Sequence, residues 1–246
     1  MTRLLTRVSR LLRTRKDTPS APAAPALLNR DFISSYFLGG MGLEIGALHN
    51  PLPVSPSVTV RYVDRLSVEE LRTHYPELAE LPLVPLDIVD NGETLKSVAD
   101  ASQDFVIANH FLEHCEDPIG AVETFHRVLR PNGVLYLAIP EKTQTFDRDR
   151  PVTSLVHLVQ DHEQGPAQSR MAHFREWATL VDKRTDDAEQ HVTSLLQRNY
   201  SIHFHVWDQS HWLEFVAYLQ QTMHWRLELV CQHGIELITV LRKKGA

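Results

Sequence analysis

Polar side chains crowd into one short turn of the chain, and their types suit proton transfer and hydrogen bonding to a polar ligand. The turn follows the apolar run 105–108 and contains Asn109, His110, Glu113 and His114. An imidazole can accept or donate a proton near neutral pH, whereas amide and carboxylate groups can hold hydroxyl and amino groups. A short apolar run predicts a strand buried on both faces, and open α/β sheets bind ligands at the carboxyl ends of such strands.

A second polar region follows the predicted fifth strand. His157 and Asp161 are four residues apart on a predicted helix over 153–162 capped by Thr153, so their side chains share one helical face. A neighbouring carboxylate fixes the tautomer of an imidazole and favours its protonated form. The candidate general bases are therefore His110, His157 and His162. The alternative for His157 and Asp161 is a solvated pair on a polar surface.

The chain has 14 histidines, which raises the question of a metal site. His203 and His205 lie on the same face of an extended segment, and His211 follows on the next predicted helix. Further possible ligands are His173 and His191. No His, Asp or Glu cluster has a recognised ligand spacing, so no metal is predicted. The segment from His203 instead predicts a chain entering a helix capped by Asp208.

The elements that must position these residues alternate along the chain. Strands are predicted at 43–46, 58–63, 83–88, 105–108, 134–139, 226–230 and 235–241, and helices at 67–74, 93–98 and 119–129. The order β, β, α, β, α, β, α, β predicts a doubly wound α/β sheet whose switch point lies near the first strand. The last two strands form a predicted hairpin.

Three residues or motifs within 104–133 carry a family resemblance: Asp104, the turn Leu112-Glu113-His114, and the run Arg127-Val128-Leu129-Arg130-Pro131-Asn132-Gly133. Together they resemble the class I S-adenosylmethionine-dependent methyltransferases, in particular the bacterial type 11-like methyltransferase domain. The resemblance covers about 42–140. It implies a mostly parallel, seven-stranded, Rossmann-like sheet with an antiparallel last strand, and S-adenosylmethionine as the cofactor.

The resemblance also implies roles for individual positions. These are Glu44 and Gly46 near the amino-acid part of the cofactor, Asp64 accepting hydrogen bonds from both ribose hydroxyls, Asp87 with Ile88 flanking the adenine, and Asn109 with His110 beside the methionine part. The residue chemistry agrees with the role of Asp64, because a carboxylate at the end of a second strand can accept from two hydroxyl donors.

The loop after the first strand departs from the family pattern. That loop is usually Gly-rich and leads into a helix, whereas this chain has only Gly46 followed by a Pro-rich segment, 49–56. The carboxylate of the cofactor therefore loses the helix N-terminus that would stabilise it. Its partner is then expected to be His49, Asn50 or an arginine.

Three functions remain in competition. The leading one is methyl transfer to a small-molecule or saccharide acceptor, with O-methylation favoured because the candidate bases are histidines. The first alternative is a non-catalytic relative that uses the fold for binding or scaffolding. The second, an NAD-dependent oxidoreductase, is disfavoured by the lack of a G-x-G-x-x-G motif.

Composition and charge limit the class of protein. The chain has 246 residues, 43% of them hydrophobic, and two cysteines, which favours one large core and a reducing cytosol. Residues 1–16 hold six basic and no acidic side chains, and removing those six charges from the net charge of -6 leaves -12 on the rest. An acidic body argues against nucleic acid as a partner.

The expected organisation has two parts. Residues 1–27 form a basic amphipathic helix and a Pro/Ala linker, which could contact a membrane surface or a protein. Residues 28–246 form the folded domain, with a helical lid or insertion over about 153–198 after the fifth strand. No run approaches the length of a membrane span, so the expected location is cytoplasmic, with or without peripheral membrane contact. The oligomeric state stays open.

Overall fold

Strands and helices alternate along residues 28–245, which are the residues that the computed structural model describes. The strands are β1 Met41–Ile45, β2 Thr59–Asp64, β3 Ile88–Val89, β4 Gln103–Asn109, β5 Leu129–Pro140, β6 Trp225–His233 and β7 Glu236–Lys243. They form one sheet in the order β3-β2-β1-β4-β5-β7-β6. Strands β1 to β5 pair in parallel, and β7 is antiparallel to both β5 and β6. The predicted fold class is confirmed.

Most of the helices in the described chain begin at a side chain that accepts a hydrogen bond from a free backbone N–H group. They are α1 Arg30–Phe37, α2 Val68–His74, α3 Pro118–Val128, α4 Leu155–Gln164, α5 Ala167–Glu176, α6 Ala188–Gln197 and α7 Gln209–Thr222. Ser67 and Glu70 form the capping box expected before α2, and Asp208 caps α7 as predicted. The predicted basic helix and linker over 1–27 lie outside the described residues.

Apolar side chains cover both faces of the sheet. On β4, Val106 and Ala108 pack into one buried cluster, whereas Phe105 and Ile107 pack into a second cluster. The first cluster includes side chains of α3 and α7, and the second includes Ile33 of α1. The strand is therefore buried on both sides, as its continuous apolar run predicts, and only its ends can contact a ligand.

Three predicted elements differ from the structure. The third strand contains only Ile88 and Val89, because Pro82 and Pro85 remove backbone donors from the expected ladder. The predicted helix over 93–98 is a series of turns, in which Asp90 accepts hydrogen bonds from the backbone and hydroxyl of Ser97. Such side-chain hydrogen bonds compete with helix formation.

The predicted cap of α4 was also wrong. Ser154, rather than Thr153, accepts from the N–H of His157 and caps the helix. Thr153 instead exchanges hydrogen bonds with the backbone of Val206, 2.8 Å from N to O and 3.0 Å from Val206 N to the threonine hydroxyl. This exchange holds the start of α4 against the extended segment that precedes α7.

The helices α4, α5 and α6 form the insertion expected after the fifth strand, and part of it has an apolar cluster of its own. That cluster is Phe174, Trp177, Ala178, Val181, Val192, Leu195, Ile202 and Phe204. Arg150, whose side chain is fully buried, joins the insertion to the end of β5 through Asp147 at 2.9 Å and Glu176 at 2.7 Å. Within 28–245, no helix is both long and apolar enough to cross a lipid bilayer.

Candidate active site at the carboxyl edge of the sheet

The carboxyl ends of β1, β2 and β4 meet at one edge of the sheet. Ile45 pairs with Val63 of β2 and with Ala108 of β4, so Gly46, Asp64 and Asn109 follow on three adjacent strands. Gly46 has a positive φ of 66°, and no atom lies within 4 Å of the position that a Cβ would take. The backbone therefore turns sharply there and leaves open space above the edge, which is where parallel sheets bind ligands.

Glu44 points from β1 into a buried position beside this space. Its Oε1 accepts a hydrogen bond from Leu52 N at 2.8 Å, whereas its buried Oε2 has no partner. Burial raises the pKa of Glu44 to about 7, although the Leu52 N–H and the charge of Arg30 act in the opposite direction. No helix follows β1: residues 47–58 are irregular, as the three prolines predict, and Leu52 supplies the nearest backbone donor.

Asp64 ends β2, and its carboxylate is free to accept more hydrogen bonds. Its Oδ1 accepts a long hydrogen bond from Leu66 N, at 3.4 Å. Burial raises the pKa of Asp64, against the effect of the Leu66 and Arg65 N–H groups. Asp87 is already occupied and exposed, since its Oδ2 accepts from Tyr62 N at 2.8 Å.

The residue at the carboxyl end of β3 is Asp90, which the sequence reasoning missed. The strand contains Ile88, a half-buried residue paired with Val63, and ends at Val89 beside Asp64. Asp90 N donates to Asp64 O at 2.9 Å, so the two acids are neighbours. The prolines before Ile88 were the available signal, because they delay the start of the strand, which then ends at Val89, so that Asp90 is the residue that follows it.

Asn109 provides a polar group without a protein partner at the end of β4. Both its Oδ1 and its Nδ2 are buried and make no hydrogen bond. A buried amide that lacks partners costs roughly 1–3 kcal/mol for each unsatisfied group, so such a group requires an explanation. A polar ligand at the sheet edge would satisfy both atoms.

His110 adopts a positive φ of 49° and is held between two carboxylates. Its Nε2 lies 2.7 Å from Glu236 Oε1, and its Nδ1 lies 3.4 Å from Glu113 Oε1. Burial alone would lower the pKa of His110, but the hydrogen bonds and charges of Glu113 and Glu236 outweigh it and raise the pKa to about 9. The isolated protein therefore carries an imidazolium here at neutral pH.

Arg30, at the first position of α1, adds a second positive charge to this edge. Its Nη1 lies 3.2 Å from Glu236 Oε1, and its buried Nε has no hydrogen-bond partner. Its charge also acts on Glu44, so the guanidinium lies within electrostatic reach of the β1 loop. An arginine was one of the three partners expected for the cofactor carboxylate in place of a helix N-terminus. Arg30 is the arginine that lies near this edge.

Glu113 and His114 hold the loop after β4 in place. The carbonyl of Glu113 accepts from the N–H groups of Phe204 and His205 at 2.6 and 3.3 Å. His114 Nδ1 lies 2.9 Å from the carbonyl of Ile202, and burial, followed by the charge of His203, lowers the pKa of His114 to about 4. The turn after β4 is thereby fixed to the segment before α7.

His157 and His162 lie outside this edge. His162 Nδ1 contacts Asp117 Oδ2 at 3.0 Å, at the cap of α3. His157 Nε2 lies 3.1 Å from Asp161 Oδ2, as the helical spacing predicts, but it also lies 3.0 Å from His173 Nε2. The three predicted bases are therefore spread over separate places, and only His110 lies beside Asn109.

The spacing of residues along the chain indicates no ligand cluster, but the fold brings possible ligands together. Ligand atoms of His157, Asp161, His173 and His205 lie within 4.8 Å of one another. The four residues come from α4, α5 and the segment before α7. A spacing motif could not reveal a cluster that only tertiary contacts assemble.

A comparison with protein families decides the assignment that this geometry suggests. Residues 55–137 match the model of a methyltransferase domain. These residues belong to a class I S-adenosylmethionine-dependent methyltransferase domain. The predicted family, enzyme class and cofactor are thereby confirmed, and the match disfavours the oxidoreductase alternative. The seven-stranded, mostly parallel sheet and the antiparallel β7 are those expected from the resemblance.

Comparisons with whole proteins add less. No curated protein matches the chain significantly. The structure of the CurJ carbon methyltransferase is 13% identical, with a TM-score of 0.44. The alignment covers 85% of this chain but only 50% of the CurJ chain. An S-adenosylmethionine-dependent methyltransferase from Aquifex aeolicus is 11% identical, with a TM-score of 0.41 and coverages of 83% and 81%.

A third solved structure bears a different name. It comes from Rhodobacter sphaeroides, is provisionally named a Zn-dependent alcohol dehydrogenase, and is 13% identical with a TM-score of 0.49 and coverages of 89% and 88%. Likenesses at these identities and TM-scores carry no information about the reaction. The substrate of the methyltransferase must therefore be argued from its own residues.

The residues at the sheet edge fit S-adenosylmethionine. The unpartnered Asn109 amide and Glu44 Oε2 can bond an amino-acid group, and the open space at Gly46 admits one. Asp64 has free acceptor positions for ribose hydroxyls. The site thus offers acceptors for the donors of the cofactor, and Arg30 offers a cation for its carboxylate.

Proposed function

We propose that this methyltransferase transfers a methyl group from S-adenosylmethionine to a hydroxyl of a small-molecule or saccharide acceptor, and that His110 Nδ1 takes the hydroxyl proton. The observation that carries the proposal is the His110–Glu236 pair beside Asn109, with Nε2 and Oε1 2.7 Å apart. A carboxylate that holds one ring nitrogen leaves the other to act on the acceptor.

The cofactor residues are proposed from the same edge. Asp64 accepts from the ribose hydroxyls, while Asn109 and Glu44 bond the amino-acid part, with Gly46 giving the room. Arg30 pairs with the carboxylate. Asp87 is exposed and precedes β3, whereas Asp90 follows the end of β3 beside Asp64, so Asp90, together with Ile88, is the better-placed candidate to flank the adenine.

A base matters only for some acceptors. Bound S-adenosylmethionine supplies a methyl group on a sulfonium, which is already strongly electrophilic. Alignment therefore gives much of the acceleration, and a hydroxyl acceptor still has a proton to lose. The His110 side chain is 39% exposed, and its Nδ1 makes only the longer of its two carboxylate contacts, 3.4 Å to Glu113 Oε1, so the imidazole is accessible to an acceptor.

The charge state of His110 restricts when it can act. Its pKa of about 9 means that the imidazolium must first lose a proton. A positive charge bound beside it would lower this pKa toward neutrality, because like charges disfavour the protonated form. His157 and His162 are weaker candidates for the base, since both contact carboxylates away from Asn109.

Calorimetry with S-adenosylhomocysteine tests the cofactor site. We expect Asp64→Ala to weaken binding at least about tenfold, because it removes hydrogen bonds to a charged acceptor. Asp186→Ala, an exposed acid in the insertion, is the matched control and should bind like the wild type. Unchanged affinity in Asp64→Ala would show that the ribose lies elsewhere.

Radiolabelled S-adenosylmethionine with a panel of hydroxyl-bearing small molecules and saccharides tests the acceptor. The expected product is a methyl ether, identified by mass spectrometry and NMR. His110→Gln should lower kcat by about 10²- to 10⁴-fold, the range for loss of a general base. A product methylated on nitrogen or carbon, or a fully active His110→Gln enzyme, would overturn the proposed chemistry.

The pH profile separates a base from a charged anchor. If His110 is the base, kcat/KM rises with pH toward the pKa of the free enzyme near 9, because the neutral imidazole is the active form. An imidazolium that only anchors an anionic group would instead lose activity over the same range. Glu236→Gln should move the rising limb to lower pH, since it removes one group that raises the pKa.

A further inference from the structure

Four side chains from two helices of the insertion and the segment before α7 come together away from Asn109. His157 and Asp161 belong to α4, His173 to α5, and His205 to the extended segment before α7. His157 Nε2 lies 3.0 Å from His173 Nε2 and 3.1 Å from Asp161 Oδ2, and His173 Nε2 lies 3.9 Å from the same oxygen. No function discussed above uses this group of residues.

Two of the four ligand atoms are buried without a hydrogen-bond partner. They are Asp161 Oδ2 and His205 Nδ1. The side chain of Asp161 is 6% exposed and that of His173 is 11% exposed, so water has little access to the group. Each unsatisfied buried acceptor costs roughly 1–3 kcal/mol, and one cation between them would satisfy both.

Hydrogen bonds hold the other polar atoms of His205 and Asp161. His205 Nε2 lies 3.2 Å from the carbonyl of Glu116 and donates to it, which leaves the lone pair on Nδ1. Asp161 Oδ1 accepts from the hydroxyl of Ser169 at 2.7 Å, which leaves Oδ2 free. Metal-binding histidines and carboxylates are commonly oriented by such outer hydrogen bonds.

The chemical types of these four ligand side chains indicate which class of ion they would bind. We propose that His157, Asp161, His173 and His205 bind one divalent transition-metal ion of the Zn²⁺ class, which fastens the helical insertion to the loop after β4. Three imidazole nitrogens and one carboxylate oxygen suit Zn²⁺, whereas Mg²⁺ and Ca²⁺ prefer oxygen ligands.

The distances are compatible with a tetrahedral site. Ligand atoms about 2.0–2.1 Å from a tetrahedral ion lie about 3.3 Å from one another. The separations here run from 3.0 Å to at most 4.8 Å.

Four protein ligands leave no position open, which is typical of a structural site. The ion would connect α4 and α5 to the segment before α7, which already bonds the carbonyl of Glu113 through its backbone and the carbonyl of Glu116 through His205 Nε2. Both residues belong to the loop that follows Asn109 and His110. The ion would therefore stabilise the loop beside the proposed cofactor site without contacting the reacting groups.

Metal binding by the full chain is the direct test. Protein stripped with a chelator should bind one equivalent of Zn²⁺ by calorimetry, gain thermal stability, and show no equivalent binding of Mg²⁺. Co²⁺ should give the visible absorption of a tetrahedral complex. Wild-type protein that binds no stoichiometric Zn²⁺ and gains no stability would overturn the proposal, and the cluster would then be a hydrogen-bonded network alone.

Variants identify the ligands. Removal of an outer hydrogen bond commonly costs 10- to 100-fold in metal affinity, so Ser169→Ala should weaken Zn²⁺ about tenfold and Asp161→Asn or His205→Ala more than about 100-fold. His191→Ala is the control, because His191 pairs with Asp182 at 2.7 Å elsewhere in the insertion. Equal Zn²⁺ affinity in all four variants would place the ion elsewhere.

Hydrogen exchange tests the fastening role and remains informative if a variant folds poorly. Zn²⁺ added to the stripped wild-type protein should slow exchange in α4, α5 and residues 202–207 and leave β6 unchanged. Zn²⁺ that binds with the right stoichiometry but protects no part of these three segments would contradict the assignment.

Discussion

At the scale of single residues, burial and a few neighbouring groups decide the charge of Glu44 and His110 at the sheet edge. Glu44 keeps a pKa of about 7 because burial opposes ionisation and only Leu52 N stabilises the anion directly. His110 is the opposite case, since Glu236 and Glu113 favour its cation more than burial disfavours it. The edge therefore combines a partly neutral acid with a protonated base at neutral pH.

The His110–Glu236 pair gives a prediction about pH. The folded-state pKa of His110 is raised from 6.5 to about 9, so its stabilisation is fully present below about 6.5 and is lost as the pH rises through 9. We expect imidazole NMR to give a midpoint near 9 in the wild type and a lower midpoint in Glu236→Gln. The difference in unfolding free energy between the two should narrow between pH 6.5 and 9.

The control is Glu228→Gln, which removes a carboxylate of β6 that pairs with Arg226 and Arg242. This variant should leave the midpoint of His110 unchanged. A wild-type midpoint near 6.5 would mean that the two carboxylates do not hold the imidazolium.

Gly42 gives a second prediction at this scale, about stability. A Cβ on Gly42 would overlap the backbone oxygen and ring of Phe105 on β4, and both residues lie in the buried sheet. Gly42→Ala should lower the free energy of unfolding by about 1–3 kcal/mol, as overpacking does. Gly39→Ala, with no atom within 4 Å, should change it by less than about 0.5 kcal/mol. Urea denaturation measures both, and equal values would show that β1 shifts to make room.

At the scale of elements, patterns of apolar and capping residues predicted most of the structure. The core strand β4, the capping box of α2 and the Asp208 cap were readable because each depends on neighbours in sequence. The end of β3 and the cap of α4 were not, because prolines and the pairing of Thr153 with Val206 decide them. The acids at the carboxyl edge could be identified from the sequence. Arg30 could not, because it belongs to a helix that only the fold brings near this edge.

Asp208 allows the capping argument to be measured. Its Oδ1 accepts from His211 N at 2.9 Å at the start of α7, a helix that places Trp212 and Phe215 in the core. Asp208→Ala should lower the free energy of unfolding by about 1 kcal/mol, and Asp208→Asn should recover most of it, because asparagine caps equally well. Urea denaturation near neutral pH is the measurement. An Asp208→Ala variant as stable as the wild type would mean that water caps α7 adequately.

At the scale of the whole molecule, the described chain has apolar clusters on both faces of the sheet and another inside the insertion. The sheet clusters could be anticipated from strand and helix periodicity. The insertion cluster and the His157, Asp161, His173 and His205 group could not, because both form from segments whose order along the chain does not reveal their contacts. Long-range packing thus decides what the insertion can do.

Because the insertion and the sheet have separate apolar clusters, we expect them to unfold separately. Leu195 is 2% exposed within the insertion cluster, and Leu137 is fully buried in a sheet cluster. A large-to-small change in a core costs about 2–5 kcal/mol, but its effect on hydrogen exchange spreads only as far as the cooperative unit that contains it. Leu195→Ala should therefore speed exchange over residues 167–204 and leave β1, β4 and β5 protected, whereas Leu137→Ala should speed exchange throughout the sheet. If Leu195→Ala exposes β4 to the same degree as α6, the insertion and the sheet unfold as one unit, because the buried Arg150 ion pairs then couple them more strongly than their separate cores allow.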